Sequence, residues 1–266
     1  MICIYDWFGY KLPVKERYRL IREAGFDGVM LWWSNCFGRA DGDISYRMGA
    51  DIARSAGLAI ENIHAPVDAQ NDLSCDNADG EALFINYMQC IQDCNDNRIG
   101  TMVVHLTEDR FPVNSIGMGR IARLTYSAEE QGVNIAMENL FNIENLTKVL
   151  ENIQSPHIGL CFDSCHYVNN PSADGILQKY GSRLMALHLH DNGGERNQHR
   201  LPFDGNADWD MLMRSVADTG YAGATSLEPM NWDYTDITIE EFLHKAYIKA
   251  SRLDDMRKMK EDIWKS

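Results

Sequence analysis

Six apolar runs in this chain end on, or just before, a residue able to hold a metal ion. "IENIHAP" offers His64 and "MVVHLTE" offers His105. "NIAMENL" gives Glu138, "IGLCFDSCH" gives Asp163 with His166 behind it, "ALHLHD" gives His188, and "TSLEP" gives Glu228. Imidazole and carboxylate together suit zinc, manganese, cobalt or iron(II). A single such residue at a strand end is ordinarily a hydrogen-bonded structural group. Six strand ends meeting at one place would be different, because clustered buried carboxylates repel unless a cation or shared protons compensate them. The segment "ALHLHDNGGERNQHRLPFDG" (186–205) extends the set with His190, Asp191, Glu195, Arg196, His199 and Arg200.

A fold that brings six strand ends together is readable in the same sequence. Short β-branched runs alternate with longer amphipathic stretches, the pattern of repeated βα units on a parallel sheet. The expected strands are Ile2–Tyr5, Gly28–Leu31, Ala59–Ile63, Thr101–His105, Val133–Met137, Ile158–Phe162, Leu184–Leu189 and Ala224–Leu227. The clearest helices are Pro13–Ala24, Glu81–Asn95, Asn142–Asn152 and Ala207–Thr219, with a long last helix from "EEFLHKAYIKASRLDD" onward that covers the barrel or makes a subunit contact. "REAGFDGV", "RSAGLAI", "EEQGVNI" and "ADTGYAGA" repeat one joint, in which a helix ends, glycine takes the left-handed position and a strand begins. The expected architecture is α/β, a (β/α)8 TIM barrel forming one domain over residues 1–266. In such a barrel reactive groups sit at the C-terminal ends of the strands.

Composition narrows the function. The net charge of −14 repels polyanions, so nucleic acid is a disfavoured partner. No apolar stretch approaches the length of a membrane span and no cationic leader precedes one, so the expectation is a cytoplasmic protein with no membrane association. The seven cysteines are scattered without a C-x-x-C pair, which argues against a disulfide framework or structural zinc. Cys161 and Cys165 are expected to be small packing residues.

Glu138, "FDSCH", "LHLHD", "HRLPFDGNADW" and "SLEP" together resemble the xylose isomerase-like TIM-barrel superfamily, over nearly the whole chain. That group includes sugar phosphate isomerases and epimerases, D-tagatose 3-epimerase, inosose dehydratase and endonuclease IV. The likeness to the ketose 3-epimerases implies one divalent ion (Mn2+, Zn2+, Co2+ or Mg2+) on Glu138, Asp163, His188 and Glu228. It also implies substrate contacts from His166 and Arg196, and the homo-oligomers common among relatives. Endonuclease IV binds three zinc ions through nine side chains. His64, His105, Glu138, Asp163, His166, His188, His199 and Glu228 match eight of these, but Asn197 stands where the ninth, an aspartate, belongs. A neutral amide there weakens a site for clustered divalent charge.

The expected function is therefore a metal-dependent sugar or sugar phosphate isomerase or epimerase. Glu138 and Glu228 would pass a proton to and from the substrate through an enediolate. His64 and His105 are assigned to sugar hydroxyls or a phosphate, with a second metal site as the alternative. Arg196, His199 and Arg200 are assigned to a loop over the mouth, His190 and Asp191 to the support of ligands, and Trp7, Phe8, Trp32 and Trp33 to the sugar face or to packing. The competing readings are an inosose dehydratase-like lyase, an endonuclease IV-like zinc phosphodiesterase acting on abasic DNA, and a non-catalytic sugar-binding descendant.

Overall fold

A computed structural model describes residues 1–34, 45–108, 110–195 and 197–263. In chain order the elements are β1 (Ile2–Tyr5), α1 (Val14–Glu23), β2 (Gly28–Trp32), α2 (Gly49–Ser55), β3 (Ala59–His64), α3 (Ala78–Asp96), β4 (Thr101–Val104) and α4 (Ser115–Gln131). They continue with β5 (Asn134–Glu138), α5 (Ile143–Asn152), β6 (Ile158–Asp163), α6 (Ser164–Val168), α7 (Ile176–Tyr180), β7 (Leu184–His188), α8 (Trp209–Asp218), β8 (Thr225–Leu227) and α9 (Ile239–Ile263). From β1 to β7 each strand pairs in parallel with the next, and β8 pairs in parallel with β1. The ring closes where Leu189 bridges Leu227. There the Leu189 N–H donates to the Ser226 carbonyl at 3.0 Å and the Glu228 N–H donates to the Leu189 carbonyl at 3.1 Å. This bridge brings the two edges of the sheet together. The chain is the expected (β/α)8 barrel.

Local chemistry fixes the joints. Gly25, Gly57, Gly132 and Gly220, the glycines of the four repeated joints, all have positive φ, between 66° and 111°. Gly132 is the clearest case: it closes α4 in the left-handed conformation, where a side chain would be strained. Asparagine starts several helices. The Asn77 side chain accepts from Gly80 N–H, so α3 begins three residues before the expected Glu81. Asn114 accepts from the amides of Ile116 and Gly117 and starts α4.

Alternation along the strands divides the interior in two. Outward residues such as Ile4, Leu31, Ile63, Val104, Ile135, Phe162 and Leu227 pack against the helices in the main core. Burying each such side chain stabilises the fold by about 1.5–3 kcal/mol. The last helix, α9, covers this core with Phe242, Leu243, Ala246, Ala250 and Leu253, as expected of it. Val103, Ala136, Cys161 and Ala186 form a separate group inside the ring. Two residues beyond each comes His105, Glu138, Asp163 or His188, and the two-residue period of a strand carries all four to the same side. Small side chains thus floor the space in which the polar ones meet.

Two of the aromatic residues considered for the sugar face lie elsewhere. Trp33 is the next residue after Trp32, so it turns outward, and its indole N–H donates to Asp93 of α3 at 2.8 Å. Phe8 stacks on Phe242 of α9 with ring centroids 6.1 Å apart. The six described cysteines are free, Cys161 and Cys165 are buried, and burial pushes the Cys161 thiol up to about 12, which suits a packing residue. Among the described residues no helix is long and apolar enough to cross a membrane.

Candidate active site

At the C-terminal mouth of the barrel Glu138 stands at the centre of four imidazoles. Its Oε2 lies 3.0 Å from His188 Nδ1, 3.2 Å from His105 Nε2 and 3.5 Å from His64 Nε2, and its Oε1 lies 3.3 Å from His166 Nδ1. His188 Nδ1 is also 3.2 Å from Glu228 Oε2. Asp163 Oδ1 is 3.6 Å from His166 Nδ1. Ligand atoms of Asp163, His188 and Glu228 lie within 4.8 Å of one another, as do those of His64, Glu138 and His188, and those of Glu138, Asp163 and His166. The strand ends therefore gather every candidate ligand read from the sequence.

Each group is held by a specific partner. Asp163 ends β6 and caps α6, accepting from His166 N–H at 2.7 Å, while its other oxygen faces His190 Nε2 at 2.8 Å. Asn139 clamps the same residue from β5: its amide donates to the Asp163 carbonyl at 2.9 Å and its carbonyl accepts the Asp163 N–H at 2.7 Å. His64 Nδ1 donates to the Ala65 carbonyl at 2.8 Å, His105 Nδ1 to Gln70 Oε1 at 3.0 Å, and His199 Nδ1 to the Glu228 carbonyl at 2.9 Å. His199 stacks flat on His190 with centroids 4.0 Å apart. Asn139 and Gln70 escaped the sequence reading. Asn139 directly follows Glu138, a cue that could have been used, whereas Gln70 sits on a short turn after β3 and carries no periodic signal.

Loop residues behave differently from expectation at two positions. Asp191 does not orient a ligand histidine. Its carboxylate accepts from the amides of Asn192, Phe203 and Ala207 and from the Trp209 indole, at 2.8–3.1 Å, and so shapes the loop from 191 to 209. Arg200 is engaged with Asp233 at 2.6 Å. Arg196 lies outside the described residues. Trp32 is buried beside His64, with ring centroids 5.3 Å apart, and Trp7 packs in the same group.

A cavity of about 580 Å3 opens over the site, lined by His105, His166, Arg110, Phe111, Phe141 and Asn197 among others. Arg110, Phe111 and Phe141 were not singled out from the sequence, although the charged run after β4 places the first two at a strand end.

Buried carboxylates and imidazoles set one another's charge at this site. His64 and His105 each donate Nδ1–H to a carbonyl oxygen, which leaves Nε2 facing the Glu138 carboxylate. Burial lowers the pKa of His105 against the pull of Glu138. Glu138 is opposed by burial, yet His105 and His188 outweigh it and hold the carboxyl well below its usual range. Glu228 is likewise opposed by burial and drawn down by His188 to about 2. Burial resists charge on His166, but Asp163 and Glu138 raise it to about 9. His188 is raised well above its usual value against burial by Cys161, Glu228 and Glu138. The metal-free site is balanced by protons, and a divalent ion would take their place. Among the described residues Glu138 Oε2, His166 Nδ1 and His188 Nδ1 are buried without a hydrogen-bond partner, as metal-facing atoms should be. The donor set fits such an ion.

Comparison with known proteins agrees with this architecture. A family model described as xylose isomerase-like TIM barrel matches residues 18–248. An uncharacterised protein, y4fM of Sinorhizobium fredii, is 36% identical over 135 residues, which is 48% of this chain; the match spans 43% of that relative's length. Fructoselysine 3-epimerase of Shigella flexneri is 24% identical over 243 residues, covering 82% of this chain and 86% of its own. Among solved structures, the IOLI protein with a bound zinc atom superposes with a TM-score of 0.78 at 16% identity, covering 97% of this chain and 98% of its own. The chain belongs to the xylose isomerase-like TIM barrel family.

Proposed function

We propose that the protein is a divalent-metal-dependent epimerase or isomerase of a ketose or ketose phosphate. The observation that carries this reading is the convergence of Glu138, Asp163, His188 and Glu228 in a buried mouth, with the two glutamates arriving from the non-adjacent strands β5 and β8. These four residues would hold the ion. When bound, it supplies Lewis acidity that polarises a substrate carbonyl and acidifies the neighbouring C–H.

The protein's own groups then supply the proton chemistry. One of Glu138 and Glu228 takes a proton from the carbon beside the carbonyl, and the other returns a proton on the opposite face. Glu138 is suited to such a role because its Oε1 lies beside His166 while Oε2 faces the other three imidazoles. His64, His105, His166 and His199 ring the mouth with polar edges for substrate oxygens, and Arg196 is assigned to the same role. The cavity of about 580 Å3 accommodates a monosaccharide, and Phe111 and Phe141 on its wall would keep water from the reacting carbon. Likeness to fructoselysine 3-epimerase supports proton transfer at the carbon next to the ketose carbonyl.

The test is incubation of the manganese- or cobalt-loaded protein with ketohexoses in deuterated water, followed by NMR. Deuterium at C3 with a new epimer is the expected result. Elimination of water would make the protein a lyase, and absence of exchange in every ketose and ketose phosphate would overturn the reading.

The approach of His64 and His105 to Glu138 favours one second reading, a multinuclear zinc phosphodiesterase. Asn197 and the net charge of −14 weigh against it. It predicts two or three zinc ions per chain and cleavage of abasic duplex DNA.

A further inference from the structure

The cavity over the site carries a positive charge that the fold does not use. Its wall includes His105 and His166, whose rings face Glu138, and also Arg110, Phe111 and Phe141. Arg110 is exposed, and its guanidinium has no ion-pair or hydrogen-bond partner among the described residues. Its charged neighbours are engaged. Glu108 lines the same cavity, but its carboxylate accepts from Gln70 Nε2 at 3.5 Å. Arg200 is held by Asp233.

The turn that presents Arg110 is built without it. Asn145 of α5 is buried, and its amide nitrogen lies 2.8–3.2 Å from the Thr107 carbonyl, the Thr107 hydroxyl and the Phe111 carbonyl. Asn145 Oδ1 accepts the Val113 N–H at 2.8 Å, and Lys148 Nζ donates to the Val113 carbonyl at 2.6 Å. From the other side the Glu108 N–H donates to Asn71 Oδ1 at 2.8 Å. The Phe111 N–H donates to the Glu108 carbonyl at 2.9 Å, so the chain reverses across Arg110. Both feet of the turn are fixed by neighbouring elements, which leaves little backbone ordering to oppose ligand binding at its tip. None of these bonds needs a guanidinium at that tip.

We propose that Arg110 is a specificity-determining residue that binds an anionic group, a phosphate or a carboxylate, at the end of the substrate remote from its carbonyl. The inference rests on the sugar-site reading above and narrows it to ketoses that carry a negative charge. A guanidinium presents a planar fork of N–H donors that matches either group. Proton transfer needs the carbonyl end beside Glu138 and Glu228, both buried, so the remote end of the substrate lies toward solvent, where the exposed Arg110 stands. A local cation is also what an anion requires here. The chain has a net charge of −14, and Glu138, Asp163 and Glu228 gather in the mouth.

The test is calorimetric titration of the manganese-loaded wild type, Arg110→Gln and Arg110→Lys with D-fructose, with D-fructose 6-phosphate and with D-fructuronate, which ends in a carboxylate. Wild type is expected to bind one of the charged ketoses about ten- to thirtyfold more tightly than fructose, the lower range for a charge-assisted pair at an exposed residue. Arg110→Gln should lose that preference, and Arg110→Lys, which keeps the charge without the fork, should keep part of it. Which charged ketose wins tells phosphate from carboxylate. The same preference in wild type and Arg110→Gln would show that the anion is held elsewhere, the metal included, and overturns the role of Arg110. Wild type that binds fructose as tightly as either charged ketose overturns it too, while leaving the sugar reading in place. Wild type that binds none of the three overturns the sugar reading itself.

Discussion

Replacing Glu138 by glutamine is expected to lower turnover by about a hundred- to ten-thousandfold, the usual weight of a positioned proton-transfer group. The residue is surrounded by His64, His105, His166 and His188, all within 3.5 Å of its carboxylate oxygens. Glutamine keeps the shape but offers one neutral acceptor oxygen and an NH2 where a second metal-facing oxygen stood. Both metal affinity and proton transfer should suffer, and steady-state kinetics at saturating metal separates them. Turnover that stays low when metal is restored assigns proton transfer to Glu138, and full recovery leaves it a ligand only. Glu228→Gln should behave alike, because its carboxyl shares His188 Nδ1. Full activity in both variants would sink the catalytic assignment.

Asp163→Ala is expected to cost about 3–5 kcal/mol of stability as well as metal binding. This carboxylate caps α6 through the His166 amide, meets His190 at 2.8 Å and stands on a backbone clamped at both ends by Asn139. Removing it leaves His190 buried against no counter-charge, with its pKa otherwise raised, against burial, chiefly by Asp163. Asp163→Asn should recover part of the loss, since an amide oxygen can still cap the helix, while metal binding stays impaired. Denaturant melts and calorimetric metal titration of the two variants give the comparison. An alanine variant as stable as wild type would show that the His190–Asp163 pair carries no such weight.

Much of this site was legible because strand periodicity and barrel geometry act together. The β4, β5, β6 and β7 ends each follow a small inward residue by two positions, so His105, Glu138, Asp163 and His188 had to meet once the ring closed. The glycine joints were equally readable, since positive φ leaves a strong local signature. Parity was the weaker guide. Trp32 and Trp33 differ by one residue, and sequence alone did not assign one to the barrel interior and the other to the helices. Tertiary partners were not visible: Asp191 was drawn off by backbone amides of its own loop, and Arg200 by Asp233. The helix α4 escaped notice because Gly117 and Gly119 interrupt its pattern, while its start is fixed by Asn114.

The most direct test of the central claim, that one divalent ion on Glu138, Asp163, His188 and Glu228 runs sugar chemistry, is the metal content of protein purified without chelators or a metal-affinity step. Elemental mass spectrometry should find about one manganese, cobalt, zinc or magnesium ion per chain, the ratio the four-ligand site implies. Two or three zinc ions per chain would contradict the account and make abasic DNA the first substrate to try.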